Sequence, residues 1–208
     1  ANSMSAAYAI ILGARDPHRF PALVLIQPTG LTRLNDPAGV GGDAGRLAID
    51  SPVFGTAAFN TLVSRRSLRH FLEEAYADNT LVTDELVDTS YDVSHQRGAR
   101  HAPAAFIAGH LNIDVRRALR RLHQPALLFW GEEAQIAPVE EIRGFRTLKP
   151  DFDVHILSPA GDLPQDERPD DFNVILSTWL NRRLPSSAPT HDTPPGMPEV
   201  SQLTQPAS

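Results

Sequence analysis

The chain opens ANSMSAAYAIILGAR, and Ser3 is the residue in that stretch able to do covalent chemistry. Two small residues, Ala1 and Ser5, stand two positions to either side of it. Small-x-Ser-x-small running into an apolar helix suits a serine held on a tight turn at a helix start. A serine hydroxyl becomes a nucleophile with a neutral imidazole to take its proton and a carboxylate to orient that imidazole. The backbone N–H of Met4 is the natural donor to an oxyanion formed beside Ser3. Eight histidines are available as the base. His155 falls inside an apolar stretch and reads as structural. His110, in GHLNID, is the one that could face a pocket. His18, His70, His95, His101 and His123 fall in loops or on polar helix faces, and His191 sits near the C-terminus. None has metal-ligand spacing with a carboxylate or a second histidine, and no Gly-rich phosphate loop follows a strand. Neither a metal nor a cofactor is expected.

The elements that must position Ser3 follow from apolar periodicity. Met4–Arg15 reads as a buried helix ended by Asp16-Pro17, because proline restricts the residue before it. ALVLIQ (22–27) is a nearly continuous apolar run, suited to a central parallel strand covered on both faces. Residues 31–117 read as a mostly helical insertion. Ser51-Pro52 can start a helix there. Ser67–Ala77 places Leu68, Phe71, Leu72 and Ala75 on one face, and Thr83-Asp84-Glu85-Leu86 is a further helix start. Asp114–Leu122 reads as an amphipathic helix, with Val115, Ala118, Leu119 and Leu122 inward. Its arginines 116, 117, 120 and 121 form a solvated face. PALLFW (125–130) is a second buried strand, 138–148 a helix, DVHIL (153–157) a third strand, 158–169 a loop and 170–180 a final helix. Residues 184–208, rich in Pro, Ser and Thr, read as a disordered tail. Strands alternating with helices call for a parallel sheet with right-handed crossovers, an α/β fold.

Composition narrows the function further. The 208 residues are 41% hydrophobic, enough for one domain with a core. A net charge of −6 argues against a nucleic-acid surface. No run of about 18 apolar residues predicts a membrane span. With no cysteine there is no disulfide or thiolate metal site, and a cytoplasmic location is the expectation.

In this order of landmarks the chain resembles the C-terminal part of an α/β-hydrolase. ANSMS resembles that family's G-x-S-x-G nucleophile elbow, with Ala1 and Ser5 in the glycine positions. ALVLIQPTG resembles the strand after the elbow. PALLFWGEEAQIAP resembles the strand and loop that deliver the catalytic acid. LSPAGDLPQDERPDDF resembles the loop that delivers the histidine, written in relatives as G-H-x-P-x-x-E-x-P. The resemblance implies a partial α/β-hydrolase fold. Residues 1–30 would carry the elbow, helix and next core strand, 31–117 the cap, and 118–183 the C-terminal core. It also implies that the earlier strands, with the second oxyanion donor, precede this chain in a longer gene product.

The resemblance assigns Ser3 as nucleophile and the Met4 N–H as oxyanion donor. Ala134 then occupies the acid position and Asp162 the histidine position. Alanine cannot orient an imidazole. Aspartate is ionised at neutral pH, a poor base for a serine hydroxyl and no substitute for an imidazolium. The neighbours Glu132 and Glu133 read as exposed loop residues. The expected activity is that of a serine hydrolase on a carboxylic ester or related acyl compound, with a degenerate triad and little or no turnover from these residues alone. The alternative is a non-catalytic homologue that holds a small apolar ligand or a protein partner under the cap.

Overall fold

A computed structural model of the protein describes residues 1–36 and 54–184. The expected helix start at Ser51-Pro52 and the expected tail from residue 185 lie outside the described residues. Helix α1 spans Ser3–Arg15, strand β1 Leu23–Ile26, and helices α2 to α6 Phe54–Leu62, Arg65–Ala75, Asp84–Ser94, His101–Ile107 and Arg116–Leu119. Strand β2 (Ala126–Gly131), α7 (Ile142–Leu148), β3 (Asp153–Leu157), α8 (Pro164–Glu167) and α9 (Pro169–Arg183) complete the order.

The three strands form one parallel sheet in the order β1-β2-β3. All six residues of β2 are buried, and their alternation explains the layers. Ala126, Leu128 and Trp130 face one core with α1, α6 and α7, while Leu127 and Phe129 face the other with α9. Trp130 still finds a polar partner, its indole N–H donating to the Ala137 carbonyl at 2.7 Å. Each fully buried large side chain here contributes about 1.5–3 kcal/mol. A third cluster, from Leu72, Ala75, Tyr76, Val82 and Val87, packs α3 and α4 against Ile136 and Leu163. Those two residues belong to the loops that follow β2 and β3, so α3 and α4 sit over the C-terminal ends of the strands.

The predicted caps and breaks hold where local chemistry decides them. Thr83 caps α4 by accepting from the Leu86 N–H at 3.2 Å. Five local expectations change. Helix α1 is buried on one face only, through Ala6, Ala7, Ile10 and Gly13; Tyr8 and Leu12 are exposed, because the sheet covers a single side. Phe71, expected inward, is 56% exposed, since Leu72 and Ala75 carry the packing of α3. The expected helix over 114–122 shrinks to one turn. Its ends close tightly through bonds from Arg121 N–H to Ala118 and from Leu122 N–H to Leu119. Arg117, Arg120 and Arg121 are solvated as expected. Arg116 departs from that face, donating to the Leu31 carbonyl at 2.8 Å. The loop over 158–169 contains the short helix α8, opened by Pro164 at its first position.

Candidate active site

Residues 1–2 run beside the free edge of β1. The Ile26 N–H donates to the Ala1 carbonyl at 2.9 Å, and Asn2 bridges Ile26 in parallel. One residue later the chain is helical. Ser3 makes that turn with φ +50°, in the left-handed region that costs a non-glycine residue about 1–2 kcal/mol. The strain presents Ser3 at the tip of a strand-to-helix corner. Its hydroxyl has no hydrogen-bond partner among the described residues. The first bond inside α1 runs from Ala6 N–H to Asn2 O, so the Met4 N–H is one of the helix's unpaired first-turn donors. Ser5, read as the second small residue of the elbow, is exposed. The close approach of α1 is made by Ala6 and Ala7 instead, both fully buried.

Ser3 opens onto a cavity of about 350 Å³ at the C-terminal ends of the strands. That is where parallel α/β sheets place their ligands. Its polar lining is Asn2, Ser3, Gln27, Thr29, Arg33 and Asp162, and its apolar lining includes Leu34, Phe71, Phe106, Ile136 and Leu163. Gln27 is buried at φ +43°, and its side-chain amide donates to the Gly161 carbonyl at 3.1 Å. The Thr29 hydroxyl is buried without a partner among the described residues. Arg33 is held at the rim by Glu141 at 2.8 Å and by the Ile136 carbonyl.

Asp162 lines the same cavity and is 8% exposed. Its carboxylate accepts three backbone N–H groups from the turn after β2. Those of Gln135 and Ile136 reach Oδ2 at 3.1 and 2.9 Å, and that of Ala137 reaches Oδ1 at 2.9 Å. Both oxygens are thereby committed to the backbone. Ala134 is buried in that turn, outside the cavity lining. Glu132 and Glu133 are both exposed. Glu133 has a definite task, accepting from Ser158 Oγ at 3.1 Å and the Ala160 N–H at 2.8 Å. The β2 turn and the β3 loop are so close that a Cβ on Gly131 would lie 1.9 Å from the Gly161 oxygen. His110 is exposed and is not part of the cavity lining.

The β3 loop also grips α3. Glu167 accepts from the Ala77 and Asp78 N–H groups at 2.9 and 3.1 Å with one oxygen and from Gly161 N–H at 2.5 Å with the other. The Asp162 N–H donates to Ala75 O at 2.7 Å, and Tyr76 donates to Asp166. Burial and then the Asp166 carboxylate push the Tyr76 phenol well above its ordinary value.

The structure therefore brings Ser3 and Asp162 into one cavity and leaves Ala134 behind its wall. It adds Gln27, Thr29, Arg33, Phe71 and Phe106, which sequence reasoning did not select. Two of them, Gln27 and Thr29, lie in ALVLIQPTG, the stretch that resembles the strand after the elbow. Among the described residues no cluster of three His, Asp or Glu side chains is placed to hold a metal. No helix among them is long and apolar enough to cross a membrane.

A parallel sheet with helices on both faces, and a strained serine at a strand-to-helix corner, is the architecture of the α/β-hydrolase fold. Solved structures agree. A meta-cleavage product hydrolase, CumD, superposes with a TM-score of 0.65 at 23% identity, over 88% of this chain and 64% of that one. The 2-hydroxy-6-oxo-6-phenylhexa-2,4-dienoate hydrolase of a Rhodococcus species gives 0.64 at 19%, over 86% and 62%. No family model matches the chain. Among curated proteins, the dihydrolipoyllysine-residue acetyltransferase component of the acetoin cleaving system of Cupriavidus necator is 26% identical over 86% of this chain and 44% of its own length. The uncharacterized hydrolase YugF of Bacillus subtilis is 24% identical over 86% and 63%. The chain thus carries a partial α/β-hydrolase fold and spans less than two thirds of the length of these relatives.

Proposed function

We propose that the protein is a hydrolase acting through Ser3 on a carboxylic ester or related acyl compound, with a degenerate triad that makes turnover by these residues slow or absent. In this reading residues 31–117 cap the site and 118–183 complete its core. The observation that carries it is the Ser3 backbone: a strained corner at a helix start that sets Ser3 at the wall of a largely apolar cavity. The likeness to YugF and to the 2-hydroxy-6-oxo-6-phenylhexa-2,4-dienoate hydrolase of Comamonas testosteroni, 24% identical over 88% of this chain, supports it. Ala134 and Asp162, in the acid and histidine positions, limit the rate, because no imidazole reaches Ser3 in the described cavity. A fluorophosphonate probe tests the assignment. Labelling that disappears in Ser3→Ala supports it, and a folded protein that takes no label overturns it. Together, Ala134→Asp and Asp162→His are expected to raise p-nitrophenyl butyrate hydrolysis.

A second reading, a homologue that binds a small apolar ligand without turnover, draws support from Asp162. Its carboxylate is consumed by three backbone donors, which suits a structural lock better than a proton acceptor. Ligand binding to the cavity together with absent probe labelling favours this second reading.

A further inference from the structure

A second cavity, of about 360 Å³, opens between β3 and the last turns of α9. It lies at the end of β3 where Asp153 begins the strand, remote from the strand ends that hold Ser3. Two periods build it. β3 sets Asp153 and His155 two residues apart on the face toward α9. α9 sets Val174, Thr178 and Arg182 in one row, four residues apart, and Ile175, Trp179 and Arg183 in the next.

The second row is tied down. Asp153 Oδ2 accepts from the Trp179 indole N–H at 2.5 Å and from Arg183 Nη2 at 2.8 Å. Burial opposes ionisation of Asp153, but these hydrogen bonds outweigh it and hold the carboxyl below the usual carboxylate range. The charge of Arg183 is thereby matched. The first row is not tied down. Among the described residues Arg182 has neither ion pair nor hydrogen bond, and the Thr178 hydroxyl and the His155 ring nitrogens have no hydrogen-bond partner. Val174 is 65% exposed at the apolar end of the same row. The lining carries two guanidiniums against one carboxylate on a chain whose net charge is −6. The C-terminal carbonyls of α9 add a partial negative charge, which the unmatched positive charge of Arg182 exceeds.

We propose that this cavity binds a small amphipathic monocarboxylate, with its anionic end on Arg182 and Thr178 and its aryl or alkyl chain along Val174 and Ile175. A free guanidinium fork matches a carboxylate in two-pronged geometry. The site is independent of Ser3, so it stands or falls apart from the hydrolase reading.

The test is calorimetric titration with 4-phenylbutyrate and with the neutral 4-phenylbutanol, paired with the nitrogen-15 spectrum of the Trp179 indole. The acid is expected to bind at least tenfold more tightly than the alcohol and to shift the Trp179 signal. Arg182→Gln, at an exposed position, is expected to remove that preference while leaving the melting temperature unchanged. Ser3→Ala and Arg33→Gln are expected to leave it intact. Equal affinity for acid and alcohol overturns the proposal. So does a preference that survives Arg182→Gln, a silent Trp179 signal, or a loss on Arg33→Gln, which would put the acid in the Ser3 cavity.

Discussion

Replacing Asp162 by alanine removes the carboxylate through which the loop after β3 accepts three backbone N–H groups from the turn after β2. The magnitude follows from which donors water can reach afterwards. Ala137 is 6% exposed, so its N–H is left buried and unpaired at about 1–3 kcal/mol. Gln135 is exposed and Ile136 half-buried; their N–H groups regain water from the cavity and lose about 0.5 kcal/mol each. The expected loss is about 3 kcal/mol, or about 6–12 °C in melting temperature for a domain of this size. Asp162→Asn keeps one acceptor oxygen but points an amide N–H₂ at a donor, and about half the loss is expected. Urea unfolding followed by circular dichroism measures both, with an unchanged slope showing that the same surface is exposed. Hydrogen exchange localises the effect: the Ala137 amide should exchange about a hundredfold faster, while Leu127–Phe129 should not change below the global limit. Both variants within about 0.5 kcal/mol of the parent, with Ala137 equally protected, would refute the reasoning. The result also bears on the proposed function, because Asp162→His sacrifices this lock, so hydrolysis by that variant has to be assayed where it is folded.

Two further outcomes follow from single residues. Ser3→Gly should be more stable than Ser3→Val by about 2 kcal/mol in chemical denaturation, because φ +50° suits glycine and opposes a β-branched side chain; equal stabilities would mean that the corner is not strained. Asp153 has a lowered carboxyl pKa, so the stability it lends through Trp179 and Arg183 is present above the ordinary carboxylate value and is lost as pH falls through the lower folded value. The Trp179 indole signal should therefore hold steady down to about pH 4 and move only below it. A transition above about pH 5, or one that persists in Asp153→Asn, contradicts the assignment.

Much of the scaffold was legible locally. Three apolar runs gave three parallel strands within a residue or so, because continuous burial on both faces leaves no other reading for LVLI and ALLFWG. Thr83 announced its helix because an N-cap depends on its own first turn. The failures share a cause. Phe71 has the spacing of a core residue, yet Leu72 and Ala75 take the packing, and which stripe of α3 turns inward depends on the loops that meet it. The run 114–122 has helical spacing throughout, yet the chain must close into Gln124, whose amide donates to the Gly13 and Phe20 carbonyls far back in the sequence.

The same division holds for the site. By itself the sequence determined that a serine stands between small residues at the head of a helix and that the helix is followed by a buried strand. Those are statements about residue type and order, and type and order are local. Only the tertiary structure decided what Asp162 does, because its partners lie 25 to 27 residues earlier and are backbone groups that no side-chain pattern marks. It also decided the cavity, since Ser3, Gln27, Phe71, Phe106 and Leu163 reach one another only when the strand ends and helices converge. A cavity is a property of what packing leaves unfilled, and that is set by contacts between distant segments.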